Sequence, residues 1–450
     1  MSFIFYGYWD VRYVPLLVGS VLVNYFISQQ ILKSKPANPR RSQSIFLFGI
    51  CFNLGLLIYF KYSFFVVENL NMLTDAAIEF DKVVLPLAIS FFTFQQIAFL
   101  VDSKKRIIER PPEFFNYTLF VSFFPQLIAG PIVHHKEMMP QFADPESRKL
   151  NYENIALGIY VFVLGLFKKL AIADTFAIWA TKGFDITSEL SLIEAWITSL
   201  SYSFQLYFDF SGYTDMAIGV ALMFNIRLPI NFNSPYKAVN IQDFWRRWHI
   251  TLSRFLRDYI YIPLGGNRKG ELRTMTNLFL TFLIGGIWHG AGWTFVFWGV
   301  LHGVALIFHR VFQKTNISIP RVIAVLLTFN FVNIAWVFFR ANSWSDAIKV
   351  LKGMVGLNGI ILPLRLQDWF SFMDLDMVAW EIWYLPNIEG DVWNLILLLG
   401  GFVLVWAIRN TNELADRFKP TWSNLLVVTV MMVYCLIGLN RISEFLYFQF

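Results

Sequence analysis

The chain is dominated by apolar stretches long enough to cross a lipid bilayer as helices. A hydrocarbon core of about 30 Å takes about 20 apolar helical residues to cross. Because hydrocarbon offers the backbone no hydrogen bonds, apolar stretches that enter it form helices. The sequence therefore predicts an all-α polytopic membrane protein with about 11–12 transmembrane helices, in a single domain over 1–450. The twelve candidate spans lie near residues 12–31, 44–63, 83–101, 114–132, 154–173, 191–209, 213–229, 274–289, 292–311, 320–339, 392–408 and 422–440.

The amino-acid composition agrees with a bilayer as the solvent. The chain is 56% hydrophobic and only 15% charged, whereas soluble domains are about a quarter charged. Its 450 residues carry a net charge of +6, but the basic residues are spread between apolar runs. No zinc-finger, helix-turn-helix or RNA-recognition pattern accompanies them, so we expect no nucleic-acid partner.

The distribution of basic residues predicts the orientation. Cytoplasmic loops of membrane proteins are enriched in Lys and Arg. Loops 32–43 and 102–113 are basic, and segment 230–273 is the most basic of all. With the N-terminus outside, twelve spans place these three segments in the cytoplasm. The same count places stretch 341–391, which is acidic on balance, outside.

The segment that ends at His289 carries the strongest indication of chemistry. Span 274–289 has 16 residues and would cover only about 24 Å, and it then meets His289-Gly290-Ala291-Gly292. Irregular backbone at membrane depth survives where protein or a water-filled cavity satisfies it. An ionisable residue inside the membrane is usually functional, and a histidine can act as a general base. We predict that His289 is catalytic, in preference to a histidine satisfied by a helix neighbour. We also predict that Trp288 helps bind substrate and that broken or re-entrant segments surround a central chamber.

Segment 243–258 predicts an amphipathic helix with a basic face. Two ion pairs at i,i+4 spacing are expected in it, Asp243/Arg247 and Arg254/Asp258. One interpretation is a helix lying on the cytoplasmic interface. The other is a cation cluster for an anionic ligand, such as the phosphates of coenzyme A, a nucleotide or lipid headgroups. The expected apolar face comprises Trp245, Trp248, Leu252, Phe255 and Tyr259, and the candidate ligand-binding cations are Arg246, Arg247 and Arg254.

Residues 207–215 predict a tight polar hairpin between two spans. Asp209 and Asp215 could hold a substrate or orient a histidine there. Alternatively, Ser211 or Asp215 caps a helix and Gly212 makes the turn. No spacing typical of a metal site occurs among the six histidines, so we expect no metal. His134 and His135 are expected in a loop, and His302 and His309 in packing or interfacial positions.

Several segments together resemble the membrane-bound O-acyltransferase family. The similarity is greatest to the bacterial branch of alginate and peptidoglycan O-acetyltransferases. The segments that carry it are AGPIVHHKEMMPQF (129–142), QLYFDFSGYTDMAIGVALM (205–223), NFNSPY (231–236), FWRRWHITLSRFLRDYIYIPLGGNRKG (244–270), GGIWHGAGWTFVFWGVLHG (285–303), WVFFRANSWSDA (336–347) and EFLYFQF (444–450).

The resemblance implies a function and assigns residues to it. The signature histidine of the family corresponds to His289, and a second motif histidine to His249. The donor would be cytoplasmic acetyl-CoA, with no cofactor. The acetyl group would pass across the bacterial inner membrane to a cell-envelope polysaccharide, through an extracytoplasmic SGNH-type partner. Because donor and acceptor would lie on opposite sides, a passage open to both sides should lead to His289. His289 would be the general base or a transient acyl carrier, with His249 assisting from the cytoplasmic mouth. Arg246, Arg247 and Arg254 would meet the phosphates of the donor.

Three other functions stay open at this point. D-alanyl transfer to teichoic acid is the activity of a sister branch. A transporter or exporter would also have broken helices with polar residues at mid-membrane, although it would show internal symmetry between halves, which the sequence lacks. A scaffold for the partner would tolerate the loss of His289.

Overall fold

A computed structural model of the chain is mostly helical. It describes residues 1–34, 39–74, 77–81, 83–108, 110–128, 130–315, 317–364, 367–368, 378–381, 385–440 and 446. The C-terminal motif EFLYFQF lies outside the described residues except for Leu446, and so does the first residue of AGPIVHHKEMMPQF.

Twenty α-helices make up most of the described chain. They are α1 (Ser2–Trp9), α2 (Val14–Lys33), α3 (Pro39–Leu57), α4 (Ser63–Thr74), α5 (Ile89–Lys104), α6 (Phe114–Ser122), α7 (Phe124–Leu127), α8 (His135–Ala143), α9 (Tyr152–Phe167), α10 (Asp174–Thr181), α11 (Leu192–Met223), α12 (Ile241–Trp245), α13 (Ile250–Leu256), α14 (Glu271–His289), α15 (Trp293–Phe312), α16 (Arg321–Arg340), α17 (Trp344–Met354), α18 (Val392–Trp406), α19 (Thr411–Ala415) and α20 (Trp422–Gly438).

Short π-helical turns connect several of these helices without a break in the helical path. Ile58–Tyr62 joins α3 to α4, and Lys168–Ala173 joins α9 to α10. Within the described ranges, five helical segments are long and apolar enough to cross a membrane: Val11–Lys33, Arg40–Thr74, Tyr152–Ile186, Trp293–Thr315 and Arg321–Arg340. The helices α18 and α20 are shorter but apolar. Their outer surfaces are apolar as well, with Val430 and Ile437 exposed, as expected of helices that face lipid.

Residues 114–132 do not form the continuous span that we predicted. The short helices α6 and α7 are separated by a break at Phe123. At one end, the Pro112 carbonyl accepts hydrogen bonds from Tyr25 and Gln29 near the end of α2. At the other end, His134 contacts Asp102 near the end of α5. Both ends therefore lie at the face of the molecule where the basic loops 32–43 and 102–113 lie, and the segment is re-entrant.

The prediction of a hairpin at residues 207–215 is wrong. Helix α11 runs without interruption for 32 residues, through both predicted spans and the supposed turn between them. Gly212 is a packing residue, because a Cβ atom there would lie 2.7 Å from the Gly165 carbonyl oxygen. Gly158 and Gly219 form a second close approach, so glycines spaced seven apart on α9 and α11 let two antiparallel helices pack closely.

These two corrections move the loops between the re-entrant segment and α11 to the opposite side, and they leave the predicted side of every loop after α11 unchanged. The re-entrant segment removes one crossing and the continuous α11 removes another, so the parity of every later loop is preserved. Twelve candidate spans become ten helical segments in the described chain. Hydrogen bonds from Asn225 to the Lys149 carbonyl (2.5 Å) and from Gln141 to the Arg227 carbonyl (3.1 Å) place the end of α11 beside the end of α8 and segment 144–151.

The outer stretch contains a small element that the all-α prediction lacked. Ile360–Pro363 and Val378–Glu381 form a two-stranded parallel pair. On the same face, Lys182 pairs with Glu389. Two acidic residues of 341–391, Asp374 and Asp376, lie outside the described residues.

Two hydrophobic cores meet at the end of α14. The first includes Trp298 and Trp336 and is built largely from α10, α11, α15 and α16. The second includes Phe99 and Trp288 and is built largely from α2, α5, α6 and α13. Trp288 belongs to one core and Trp298 to the other. His289 lies next to both side chains and is therefore at the junction of the two cores.

Candidate active site

His289 is the last residue of α14, as the predicted break requires. Gly290 and Gly292 are fully extended, and α15 begins directly after them at Trp293. The helix is three residues longer than predicted, with 19 residues, so its length does not make it unusual. The two helices pack through glycine, because a Cβ atom at Gly286 would lie 2.5 Å from the Phe295 carbonyl oxygen.

Aromatic rings enclose the His289 imidazole. Its centroid lies 4.9 Å from Trp288, 5.0 Å from Trp298 and 5.1 Å from Phe339. The residue is only 5% exposed. Within the described part of the chain, its Nδ1 atom has no hydrogen-bond partner. A buried polar atom without a partner is rare and is often kept for a substrate.

A cavity of about 690 Å³ adjoins this helix end, on the side that the loop charges predict to be outer; it is the outer cavity below. Its lining includes Gly290, Gly292, Phe339, Phe295 and Lys61, but not His289. The Phe339 ring contacts both the cavity and the imidazole, so it stands between them. The two-sided open passage that we predicted is therefore not open in this structure, although one side approaches His289 closely.

Sequence reasoning overlooked Lys61 and Tyr62. Lys61 Nζ donates hydrogen bonds to the carbonyl oxygens of Trp288 (2.6 Å) and His289 (2.9 Å). The Tyr62 hydroxyl donates to the Ile287 carbonyl oxygen at 2.7 Å. The signal was present, because a lysine inside an apolar run of membrane-spanning length is costly and usually functional.

His249 occupies a buried, left-handed position directly before α13. It is fully buried, with φ of 43°, and its Nδ1 lies 3.1 Å from Asn231 Oδ1. Thr251 donates to the same Asn231 oxygen and accepts a hydrogen bond from the Ile132 amide. The three motifs at 129–142, 231–236 and 244–270 thus meet beside His249. The left-handed residue also ends the continuous helix that we predicted over 243–258.

The predicted apolar face of this segment is nevertheless buried. Trp245 and Trp248 join a cluster of rings with Trp298 and Trp336. Trp245 Nε1 donates to His302 Nδ1 at 3.1 Å, so His302 is a fully buried member of this cluster. Since the His289 ring contacts Trp298, the two histidine motifs share one aromatic core. Trp288 stacks on Phe94 in the other core, at 4.8 Å between centroids.

The three candidate arginines do not form one free cation cluster. Arg247 pairs with Asp243 at 2.9 Å, as predicted. The predicted pair Arg254/Asp258 is wrong, because Arg254 forms a bidentate pair with Glu137 and Asp258 pairs with Arg257. Arg246 is exposed. Binding of donor phosphates by these three residues stays a prediction, with Arg246 the most accessible.

Asp209 and Asp215 are buried in α11 and paired with lysines. Lys169 Nζ lies 2.6 Å from an Asp209 oxygen, and Lys168 Nζ lies 2.6 Å from an Asp215 oxygen. The π-helical turn Lys168–Ala173 presents both lysines to α11. Thr411 also donates to Asp215, at 2.6 Å. The pairs explain how two carboxylates are accommodated within the helix, while a role in substrate binding stays a prediction.

A further polar cluster lies at the cytoplasmic face. Asp102 Oδ2 lies 2.8 Å from His134 Nε2 and 3.3 Å from His135 Nδ1, and it accepts a hydrogen bond from the Tyr259 hydroxyl at 2.8 Å. Burial lowers the pKa of the His135 imidazole, opposed by its contact with Asp102. A carboxylate with two imidazoles could also hold a metal ion, so the expected absence of a metal stays a prediction.

Comparison with known proteins places the chain in a family. Residues 22–344 match the sequence profile of the membrane-bound O-acyltransferase family. The chain belongs to that family. It is therefore a multi-pass membrane acyltransferase, and a transporter without acyl chemistry is excluded as its class.

The most similar of the relatives considered are bacterial O-acetyltransferases. The chain is 49% identical to the peptidoglycan O-acetyltransferase of Helicobacter pylori, over all of this chain and 90% of that protein. It is 40% identical to the probable alginate O-acetylase of Pseudomonas putida, over 78% of this chain and 73% of that protein. The teichoic acid D-alanyltransferase of Bacillus subtilis is 26% identical over 57% of this chain and 69% of that protein.

Proposed function

We propose that this protein moves acetyl groups from cytoplasmic acetyl-CoA across the membrane for the O-acetylation of peptidoglycan, with an extracytoplasmic SGNH-type partner completing the transfer. The relative named for peptidoglycan is similar over the whole of this chain and is more similar than the relatives named for alginate. D-alanyl transfer has weaker support, because those relatives match little more than half of the chain.

The observation that carries the chemistry is the His289 Nδ1 atom, which has no hydrogen-bond partner in the described part of the chain and lies beside the outer cavity. A neutral imidazole nitrogen accepts the proton of an acceptor hydroxyl as the hydroxyl oxygen attacks the thioester carbonyl carbon. The tetrahedral intermediate then collapses, the carbon–sulfur bond breaks, and the coenzyme A thiolate leaves and is protonated. Burial among rings excludes water, which would otherwise hydrolyse the thioester.

The two faces of the site suit two different substrates. The outer cavity lies beside Gly290 and Gly292 and can admit an acceptor hydroxyl from outside. The cytoplasmic face carries the exposed Arg246, which suits the phosphates of a donor. Because His289 is enclosed in this structure, substrate entry requires the aromatic side chains around it to move.

Gene deletion and complementation test the proposal. Deletion should remove O-acetyl esters from the muropeptides of the host, measured by mass spectrometry after mild isolation, and the native gene should restore them. The mass of the ester distinguishes acetyl from D-alanyl groups. Unchanged peptidoglycan acetylation with a loss of D-alanyl or other polysaccharide esters would contradict the proposal.

A further inference from the structure

Lys61 is an ionisable residue in the middle of an apolar helical segment. Arg40–Thr74 is continuous and apolar enough to cross a membrane, and Lys61 lies in its π-helical turn. Such turns cost stability and occur often at functional sites. A lysine in this position needs a specific set of acceptors to be retained.

The acceptors of Lys61 are the carbonyl groups that the end of α14 leaves open. The last four carbonyl groups of a helix have no partner within the helix. Lys61 donates hydrogen bonds to the carbonyl oxygens of Trp288 and His289, and Tyr62 donates one to the carbonyl oxygen of Ile287. A cation is also favoured at the C-terminal, negative end of a helix dipole. The π-helical turn therefore supplies a side-chain cap to the helix that ends at the candidate catalytic histidine.

We propose that Lys61 is a positioning residue for His289, which holds the end of α14 so that the imidazole faces the reacting acetyl group. The inference rests on the proposed function. Gly290 cannot cap this helix end in the usual left-handed conformation, since it is extended with φ of −160°. The Lys61 side chain, from a neighbouring helix, caps this helix end instead. It fixes His289 through the backbone carbonyl of His289.

The cavity makes this cap accessible to a test. Lys61 lines the cavity of about 690 Å³, so a small amine can reach the space that a shortened side chain leaves. Lys349 offers a matched control. Its Nζ also donates to two backbone carbonyl oxygens, those of Phe184 (2.8 Å) and Thr187 (2.7 Å), but it does not touch α14.

The experiment measures acetyl transfer from labelled acetyl-CoA in membranes that contain the full chain and its host partners. Lys61→Met should lower kcat by roughly 10- to 100-fold, as expected for a displaced catalytic group, with KM for acetyl-CoA little changed. Lys61→Arg should retain most of the rate, because it keeps the cation and the donors. Lys349→Met should lower thermal stability in detergent while it leaves the rate per folded protein near native.

Chemical rescue separates a local cap from general stability. Propylamine should raise the rate of Lys61→Ala severalfold and leave Lys349→Ala unaffected. A native rate in Lys61→Met would overturn the proposal. A folded Lys61→Ala protein that propylamine does not activate, together with an equally inactive Lys61→Arg protein, would overturn it as well. If Lys61→Met fails to accumulate, the Arg variant and the amine rescue decide. Native activity in His289→Ala would instead contradict the catalytic role of His289, and unchanged peptidoglycan acetylation after gene deletion would contradict the proposed function itself.

Discussion

At the scale of single residues, the site is organised around one enclosed imidazole. His289 has rings on three sides, and its Nδ1 has no hydrogen-bond partner among the described residues. Phe339 separates it from the outer cavity. Both the break after His289 and the burial of Trp245 and Trp248 were predictable, because glycine and apolar periodicity are local signals. Lys61 and the Arg254–Glu137 pair were not assigned, since their partners lie more than a hundred residues away in the sequence.

Replacement of Phe339 should uncouple the reaction. In Phe339→Ala the cavity would extend to His289, so water could act as acceptor in place of the glycan hydroxyl. We expect faster release of free coenzyme A from acetyl-CoA in the absence of acceptor, by roughly 10-fold. Phe338→Ala is the matched control, because Phe338 packs against Phe297 and Trp344 instead. Equal coenzyme A release from both variants would show that Phe339 does not separate His289 from water.

At the scale of elements, the prediction from the sequence was wrong where polar groups of one helix are paired with those of another helix that is distant in the sequence. Residues 207–215 have the composition of a turn, yet they stay helical because Lys168 and Lys169 neutralise Asp215 and Asp209. Composition identifies polar residues, but whether they bend the chain depends on partners that a local pattern does not contain. Two lysines in one apolar span and two aspartates in another were the available clue.

The glycine contact between α9 and α11 predicts a large effect from a small substitution. In Gly165→Ala the new methyl would lie 2.5 Å from the Gly212 carbonyl oxygen, so the helices must separate. Overpacking of this kind costs about 1–3 kcal/mol. Thermal unfolding in detergent should show a lower transition temperature. Gly400→Ala is the control, because nothing lies within 4 Å of its added Cβ atom. Equal stability of the two variants would argue against the close helix packing and revive the predicted turn.

At the scale of the whole molecule, two opposite faces serve one buried histidine. The orientation came from loop charge alone, and it stays a prediction, which is compatible with the structure because the re-entrant segment and the continuous α11 each remove one crossing. The fold class could be predicted from the sequence. The re-entrant segment could not be distinguished from a span by apolar length, because its two ends are fixed by contacts with α2 and α5.

Cysteine accessibility tests this arrangement. In a variant with Cys51 and Cys435 replaced by Ser, single cysteines at Glu113, Lys136 and Arg246 should react with an impermeant maleimide only from the cytoplasmic side. Glu113 and Lys136 flank the re-entrant segment and are both exposed. A cysteine at Lys136 that reacts from outside intact cells would make 114–132 a true span and would invert the later loops.

The central claim is that His289 performs the chemistry of acetyl transfer. The direct measurement is the O-acetyl content of muropeptides, determined by mass spectrometry in a deletion strain that carries His289→Ala. His309→Ala serves as a control, because His309 lies near the far end of α15. The account predicts that acetyl esters are lost with His289→Ala and kept with His309→Ala, at equal levels of each protein in the membrane. Native acetylation in the His289→Ala strain would contradict it.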